Sequence, residues 1–240
     1  MRDGFAAMVT ARNEGKYLPA TLDALLGLPD LSRLVVADDG SRDATATLAR
    51  AAGAEVVSLP SPLGKGAALR AGILTALRAG ILTARKRGPS GSYLFNQPLL
   101  LADADLGPSA AHLVALLEAL DEDHPASVAA FPRGSGGGFG LVKNLSRRAL
   151  ARRTGVAPLE PLSGQRALLP VALDALPGIA PGFGAEVGMT LDLLCAGIEP
   201  LEVSLPLAHR ATGRTLRGFA HRARQGLDVL RALHGDRLPW

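Results

Sequence analysis

The chain lacks the residues that several protein classes require. Its 240 residues include a single cysteine, Cys195, which excludes an internal disulfide framework and a multi-cysteine zinc or iron–sulfur site. Its apolar runs stay short of the ~20 residues that cross a bilayer, and no basic segment precedes an apolar stretch at the N-terminus. We therefore expect a cytoplasmic protein, long enough for one sizeable core or two small ones.

Aromatic residues are also scarce, at 4% of the chain, and no basic patch is interleaved with them. Single-stranded nucleic acids need such stacking platforms, so we expect no nucleic-acid partner. The excess of basic over acidic residues lies in the second half, with 13 Lys and Arg against 8 Asp and Glu from Leu141 onward. This excess predicts an anionic partner or membrane surface on that side.

Short apolar runs alternate along the chain with segments of helical periodicity. This alternation predicts an α/β fold with a mostly parallel sheet flanked by helices, in which ligands bind beyond the carboxyl ends of the strands. The predicted strands are Phe5–Val9, Leu34–Ala37, Glu55–Ser58, Leu99–Ala102 and Glu202–Leu205. The predicted helices are Tyr17–Leu26, Asp43–Ala52, one from about Ala67, Leu141–Arg153 and Leu216–Leu233.

Polar clusters follow four segments of this pattern and should converge on one edge of the sheet. Asp103 and Asp105 lie two residues apart after an apolar strand, so both carboxylates point to the same side. Hard oxygen ligands so placed suit Mg²⁺ or Mn²⁺, although two carboxylates can also just cap the next helix. The other clusters are Arg12-Asn13-Glu14, Asp38-Asp39 and Gly64-Lys65-Gly66.

The Gly64-Lys65-Gly66 segment suggests an anion site, because glycines let backbone approach closely and lysine adds a point charge. It is not a Gly-x-x-x-x-Gly-Lys-Ser/Thr loop, and no Gly-x-Gly-x-x-Gly follows the first strand. These absences weigh against the usual NTPase and dinucleotide-binding classes.

Leu69–Ala76 and Leu77–Ala84 are the same eight residues in direct tandem. Eight residues advance a helix by about 800°, so the second copy is ~80° out of phase and cannot present the same face to the sheet. We expect a local duplication that lengthens a surface helix and has no catalytic role.

The order of the motifs resembles glycosyltransferase family 2, with its GT-A fold. The resemblance rests on Thr10–Glu14, Asp38–Asp43, Gly64–Ala68 and Asp103–Leu106, and more weakly on Pro161–Arg166 and Gly182–Glu186. The last two segments are similar to bacterial enzymes that act on polyprenyl phosphates or make glucosyl phosphoglycerate. The resemblance implies a nucleotide-sugar-binding half over residues 1–133 and an acceptor-side half over 134–240, continuous in one domain.

The resemblance also implies roles for individual residues on the donor side. Thr10, Arg12 and Glu14 would line the nucleoside pocket, and Asp38 or Asp39 would accept from the base. Lys65 would approach the base and diphosphate, and Asp103 the ribose and metal. Asp105 would hold the metal, with His209 as a further ligand unless that histidine is only solvated or a helix cap.

On the acceptor side, the resemblance implies that Glu186 lies near the acceptor. If the acceptor is a hydroxyl, Glu186 could act as general base; if it is a phosphate, Glu186 would only position groups, and a helix cap is the plain alternative. Arg166 would pair with a donor or acceptor phosphate.

The basic segment Leu141–Arg153 carries five Lys or Arg and no acidic residue, beside leucines at near-helical spacing. It is predicted to bring the enzyme to an anionic acceptor, which could lie at the inner face of the cell membrane. The same charges suit a soluble phosphorylated acceptor, and such a helix can simply cover a core edge. The basic residues concerned are Lys143, Arg147, Arg148, Arg152, Arg153, Arg210, Arg214, Arg217, Arg222 and Arg224.

The sequence therefore predicts a metal-dependent hexosyltransferase that uses a UDP- or GDP-sugar. Its acceptor would be anionic, either a polyprenyl phosphate or a small phosphorylated acid, and family 2 implies inversion at the sugar. The alternative is a sugar-phosphate nucleotidyltransferase. That class usually carries a glycine-rich basic loop after the first strand, where this chain has Ala11-Arg12-Asn13-Glu14.

Overall fold

The computed structural model describes residues 4–78, 84–87, 92–95, 97–130, 140–208 and 226–239. The strands are β1 Phe5–Ala11, β2 Leu31–Asp38, β3 Glu55–Ser58, β4 Ala84–Arg87, β5 Ser92–Phe95, β6 Leu99–Asp103, β7 Ala126–Ala130, β8 Arg166–Leu168, β9 Gly178–Ile179, β10 Leu201–Ser204 and β11 Leu238–Pro239. The helices are α1 Leu18–Leu26, α2 Thr45–Ala51, α3 Lys65–Arg78, α4 Val114–Glu118, α5 Gly140–Thr154, α6 Pro170–Asp174 and α7 Ala185–Cys195. Residues 107–113 and 182–184 form 3₁₀ turns, and residues 226–233 are helical.

Seven strands form the main sheet in the order β10-β7-β8-β6-β1-β2-β3. Strands β6, β1, β2 and β3 run parallel to one another, as do β7 and β10, whereas β8 pairs antiparallel with both β6 and β7. The predicted α/β fold with a mostly parallel sheet is confirmed. Within the described residues, no helix is long and apolar enough to span a membrane.

The central strand β1 is apolar on both faces because each face is covered. Ala7 and Val9 face a core that includes Leu22 and Leu25 of α1. Their neighbours along the strand, Ala6 and Met8, belong to a second core with α3 and α7. This period-two division explains why the strand reads as one continuous apolar run.

The tandem repeat divides between two structures. In its first copy, Leu69 and Ile73 of α3 are buried in the second core. A Cβ at Gly72 would lie 2.9 Å from Met8 Sδ, so the helix packs closely on β1. The second copy does not simply lengthen this helix: Ala84 lies in β4, paired with Phe95 of β5. The predicted helical extension is wrong at that end.

The C-terminal segment is fixed against α7 by Arg237. Its guanidinium binds both carboxylate oxygens of Asp192, Nε to Oδ2 at 2.6 Å and Nη2 to Oδ1 at 2.7 Å. Burial raises the pKa of Asp192, and the ion pair with Arg237 opposes that rise. Strand β11 then pairs with β9. Residues 237–239 are therefore held against α7 and β9.

Deleting Leu77–Ala84 should leave a cooperatively folded protein, because Leu69 and Ile73, which α3 contributes to the second core, belong to the first copy. Ile73→Ala is the matched comparison, since Ile73 is 1% exposed and such truncations cost about 2–5 kcal/mol. Urea unfolding should show a smaller loss for the deletion than for Ile73→Ala. A deletion variant without a cooperative transition would place the second copy in the core.

Candidate active site

The Lys65 ammonium lies between two carboxylates that are distant in sequence. Lys65 is the first residue of α3, and its Nζ is 2.5 Å from Asp103 Oδ1 at the end of β6. The same Nζ is 2.7 Å from Glu186 Oε1, in the first turn of α7. The side chains of Lys65 and Asp103 are 24% and 26% exposed and that of Glu186 is 8% exposed. Three elements therefore meet at one charged centre.

The electrostatic balance at this centre favours a charged lysine. Burial alone would lower the pKa of Lys65, but the attraction of Asp103 and Glu186 outweighs it, so the pKa is raised above its ordinary value. The ammonium in turn offsets the repulsion between the two carboxylates. Removing one partner from a buried ion pair leaves an uncompensated charge and is strongly destabilising.

Asp103 has a second protein partner, the amide of Gln165. Gln165 Nε2 donates to Asp103 Oδ2 at 2.6 Å, and Ser163 Oγ donates to Gln165 Oε1 at 3.1 Å. Gln165 is fully buried. The sequence prediction gave a role to Arg166 in this motif and none to Gln165. The amide of Gln165 was the signal that could have indicated a polar contact here.

Gly164 packs directly on the Lys65–Asp103 pair. A Cβ built at this position would lie 2.5 Å from Lys65 Nζ and 2.9 Å from Asp103 Oδ2. Real Cβ atoms do not approach so closely, so any side chain here would displace the ion pair.

The loop that precedes α3 is held by Asp39. Its Oδ1 accepts from the Leu63 and Gly64 amides at 2.7 and 3.1 Å, and its Oδ2 from Gly64 at 3.0 Å. Asp38 accepts only from Ser41 N, through Oδ1 at 3.1 Å, among the described residues. The two adjacent aspartates thus differ: Asp39 fixes the start of the lysine helix, and Asp38 keeps one oxygen, Oδ2, for another partner.

The loop after β1 is fastened to the loop after β2. Asn13, with a positive φ of 54°, receives at Oδ1 the amide of Arg42 at 2.8 Å and donates its own amide to Ser41 Oγ at 2.9 Å. The Glu14 amide donates to Thr45 Oγ1 at 2.9 Å. Hydrogen bonds therefore join both loops into one rim at the carboxyl ends of the strands.

The remaining donor-side residues lie on the same edge. In the sheet register Thr10 is the partner of Asp103, and Ala11 is the partner of Asp38. Arg12 is exposed just beyond the end of β1. The predicted convergence of these strand ends is thus present in the structure.

Arg166 is enclosed by the protein, whereas the sequence analysis expected it to pair with a donor or acceptor phosphate. It is 1% exposed, with Nε donating to Ser163 O at 2.9 Å and Nη2 to Pro161 O at 3.1 Å. Burial lowers its pKa to about 10, against the opposing attraction of Glu186 and Glu202. The predicted pairing with a substrate phosphate is therefore corrected: the guanidinium is enclosed and organises the 161–163 loop.

Gly66 is required by packing within the chain. A Cβ there would lie 2.0 Å from Ala180 O, so α3 touches the backbone ahead of Glu186. Farther along that segment, Phe183 N donates to Asp228 Oδ2 at 3.2 Å. The helical residues 226–233 thus fix the loop from which α7 begins.

Residues 7–84 match the family model for glycosyl transferase family 2. The chain is similar to glucosyl-3-phosphoglycerate synthase from Mycobacterium tuberculosis in complex with phosphoglyceric acid, with 25% identity and a TM-score of 0.70 over 98% of this chain and 81% of that one. A complex of the same enzyme with Mn²⁺, UDP-glucose and phosphoglyceric acid matches with 29% identity and a TM-score of 0.66 over 97% and 80%. No curated protein matches significantly by sequence.

The match to the family 2 model covers residues 7–84, about a third of the chain, and bears out the resemblance that the motifs carry. The GT-A-like fold is confirmed. The likeness extends over nearly the whole chain, including the segments after residue 134 that carry Gln165 and Glu186.

The chain has donor atoms of the kind that a hard divalent cation prefers. Asp103 and Asp105 supply carboxylate oxygens at the end of β6, and one carboxylate can accept at about four lone-pair sites. Among the described residues, no group of three His, Cys, Asp or Glu could hold a metal. Two carboxylates plus phosphate oxygens of the substrate are a usual site for Mg²⁺, so this donor set fits. His209 lies outside the described residues, as do the basic residues predicted between 210 and 224.

We expect Gly164→Ala to weaken binding of nucleotide diphosphate by disrupting the Lys65–Asp103 pair. Gly226→Ala is the matched control, because a Cβ at Gly226 meets nothing within 4 Å. Calorimetric titration with UDP should show a clear loss of affinity for the first variant and wild-type affinity for the second. Equal affinity in both variants would show that the site tolerates a displaced pair.

Proposed function

We propose that this glycosyltransferase moves glucose from UDP-glucose to the hydroxyl group of a small phosphorylated carboxylic acid. The observation that carries the proposal is the Lys65 ammonium held between Asp103 and Glu186 at the carboxyl edge of the sheet. The proposal is supported by likeness to an enzyme whose structures contain UDP-glucose, Mn²⁺ and phosphoglyceric acid. Breaking the sugar–phosphate bond places negative charge on the departing diphosphate, and a fixed cation can stabilise it.

On the donor side, the fastened loops after β1 and β2 would bind the nucleoside. We assign the base contact to Asp38, because both oxygens of Asp39 already bind backbone amides. Thr10, Arg12 and Glu14 would complete the pocket wall. Lys65 would donate to the diphosphate while the two carboxylates hold its ammonium in place.

Asp105 and Asp103 would hold Mn²⁺ or Mg²⁺, with His209 as a further candidate ligand. A bound cation of this kind would neutralise charge on the diphosphate. Asp103 would be shared between the cation and Lys65. The protein would thereby keep its fixed positive charge beside the phosphates.

On the acceptor side, Glu186 is the candidate base. Its Oε1 binds Lys65, while its Oε2 accepts no hydrogen bond from the described part of the chain. We propose that Oε2 takes the proton of the acceptor hydroxyl as the glycosidic bond forms. The ion pair with Lys65 would keep this carboxylate in place.

We propose a soluble acceptor rather than a lipid-linked one. Much of the basic character of α5 serves contacts within the chain: Lys143 binds Glu160 at 2.5 Å, Arg147 binds Pro158 O at 3.0 Å, and Arg153 binds Leu233 O. Arg148, Arg152 and Arg153 are the exposed basic residues of this helix. Similar structures contain glycerol 3-phosphate as well as phosphoglyceric acid.

The proposal predicts glucosyl transfer from UDP-glucose to 3-phosphoglycerate in the presence of Mn²⁺. Asp105→Asn should lose nearly all transfer, because it removes a carboxylate charge from the metal site while keeping the shape of the side chain. Product analysis by NMR would give the anomeric configuration and so test inversion. GDP-glucose, glycerol 3-phosphate and a polyprenyl phosphate serve as comparison substrates.

Product with polyprenyl phosphate alone would overturn the soluble acceptor. Pyrophosphate formation from a sugar phosphate and a nucleoside triphosphate would instead favour a nucleotidyltransferase. Wild-type turnover by a folded Asp105→Asn variant would remove the assigned metal role.

Lys65→Ala should weaken binding of UDP more than binding of uridine. A charge-assisted hydrogen bond contributes about 1.5–3 kcal/mol, so the affinity for UDP should fall about ten- to hundredfold. Lys143→Ala is the matched control, because Lys143 forms a comparable ion pair with Glu160 in α5. Calorimetry showing equal losses for UDP and uridine would contradict the contact with phosphate.

A further inference from the structure

Gln165 is a fully buried amide that donates to the Asp103 carboxylate of the site. Its Nε2 lies 2.6 Å from Asp103 Oδ2, opposite the Lys65 ammonium on Oδ1. Asp103 is thus held by two donors from different elements, one charged on α3 and one neutral just ahead of β8. None of the predicted roles for this edge of the sheet includes Gln165.

The direction of the Gln165–Asp103 hydrogen bond follows from chemistry. An ionised carboxylate only accepts, so the amide must present its NH₂ group to Asp103. Its oxygen then faces Ser163, whose hydroxyl donates to Oε1 at 3.1 Å. Ser163 is itself buried. A short relay, Ser163 to Gln165 to Asp103, therefore sets the orientation of the carboxylate.

The backbone at Gln165 does not depend on its side chain. Gln165 O accepts from Ala129 N at 3.0 Å, which joins this position to β7. The next residues form β8, which pairs with β6 on one side and β7 on the other. The sheet would therefore keep residue 165 in place after a change of its side chain.

We propose that Gln165 is a positioning residue, oriented by Ser163, that holds Asp103 in the geometry needed for the divalent cation. The inference rests on the function proposed above, in which Asp103 is shared between Lys65 and the cation. A neutral amide fixes the carboxylate without adding a second positive charge beside it. Hydrogen-bonded partners of metal ligands typically change metal affinity or activity about 10–100-fold when mutated.

The test compares Gln165→Met with wild type, because methionine fills a similar volume and cannot donate. Free Mn²⁺ is counted by electron paramagnetic resonance in the presence of UDP, and UDP affinity is measured by calorimetry with and without Mn²⁺. We expect Mn²⁺ to bind about 10–100-fold more weakly to Gln165→Met, while UDP affinity without metal stays within about twofold of wild type.

Ser127→Ala is the control for lost stability alone. Ser127 is buried in β7 and donates to Leu116 O at 2.7 Å, so its truncation removes a comparable internal hydrogen bond. It should lower the melting temperature without changing Mn²⁺ affinity. Ser163→Ala should weaken Mn²⁺ by a smaller factor, because the amide keeps its donor but loses its orienting partner.

Unchanged Mn²⁺ affinity in Gln165→Met would overturn the inference. So would an equal loss of UDP affinity with and without Mn²⁺, since that would show general damage to the pocket. If Gln165→Met does not fold, Ser163→Ala decides: weakened Mn²⁺ with intact metal-free UDP affinity supports the inference, and wild-type Mn²⁺ affinity rejects it. Wild-type protein that binds no Mn²⁺ with UDP would overturn the proposed metal site itself, and this inference with it.

Discussion

The site depends on the ion pairs of the Lys65 ammonium with Asp103 and Glu186. Asp103 and Glu186 both lie within 2.7 Å of its Nζ, and without a cation these two carboxylates would repel each other in a partly buried space. The ion pairs therefore fix α3, the end of β6 and the start of α7 relative to one another. Because Lys65, Asp103 and Glu186 are far apart in sequence, the two ion pairs form only when the whole sheet is assembled.

Close backbone packing around the charged centre explains several glycines. Gly164 leaves room for the Lys65–Asp103 pair, and Gly66 lets α3 lie against Ala180 O. At Gly182, with a φ of +58°, an added Cβ would lie 2.2 Å from Asp228 Oδ2. In these places the absent side chain serves contacts within the protein, whereas the sequence suggested that the glycines around Lys65 admit an anion. The lysine itself still lies where an anion could reach it.

The charged groups divide into those that hold the fold and those that remain for a ligand. Asp39, Arg166 and Arg237 are bound by partners within the chain. Asp38 accepts a single hydrogen bond within the described residues. Satisfied buried groups stabilise one arrangement, because leaving such a donor or acceptor unpaired costs about 1–3 kcal/mol. This division, rather than the number of charges, is the basis on which we propose the nucleotide site.

The sequence by itself determined the alternation of strands and helices, and it put Asp103, Lys65 and Asp38 at one edge of the sheet. Glu55–Ser58 is a strand with the predicted bounds, and α5 extends one residue beyond the predicted helix at each end. These features follow from local periodicity and from the rule that parallel strands end together. The tertiary structure alone decided that Arg166 is enclosed, that Gln165 binds Asp103 and that Ala84 belongs to a strand. The positions of Arg166 and Gln165 depend on β8 lying antiparallel between β6 and β7, and the strand at Ala84 depends on pairing with β5. The pattern of neighbouring residues does not encode such distant partners.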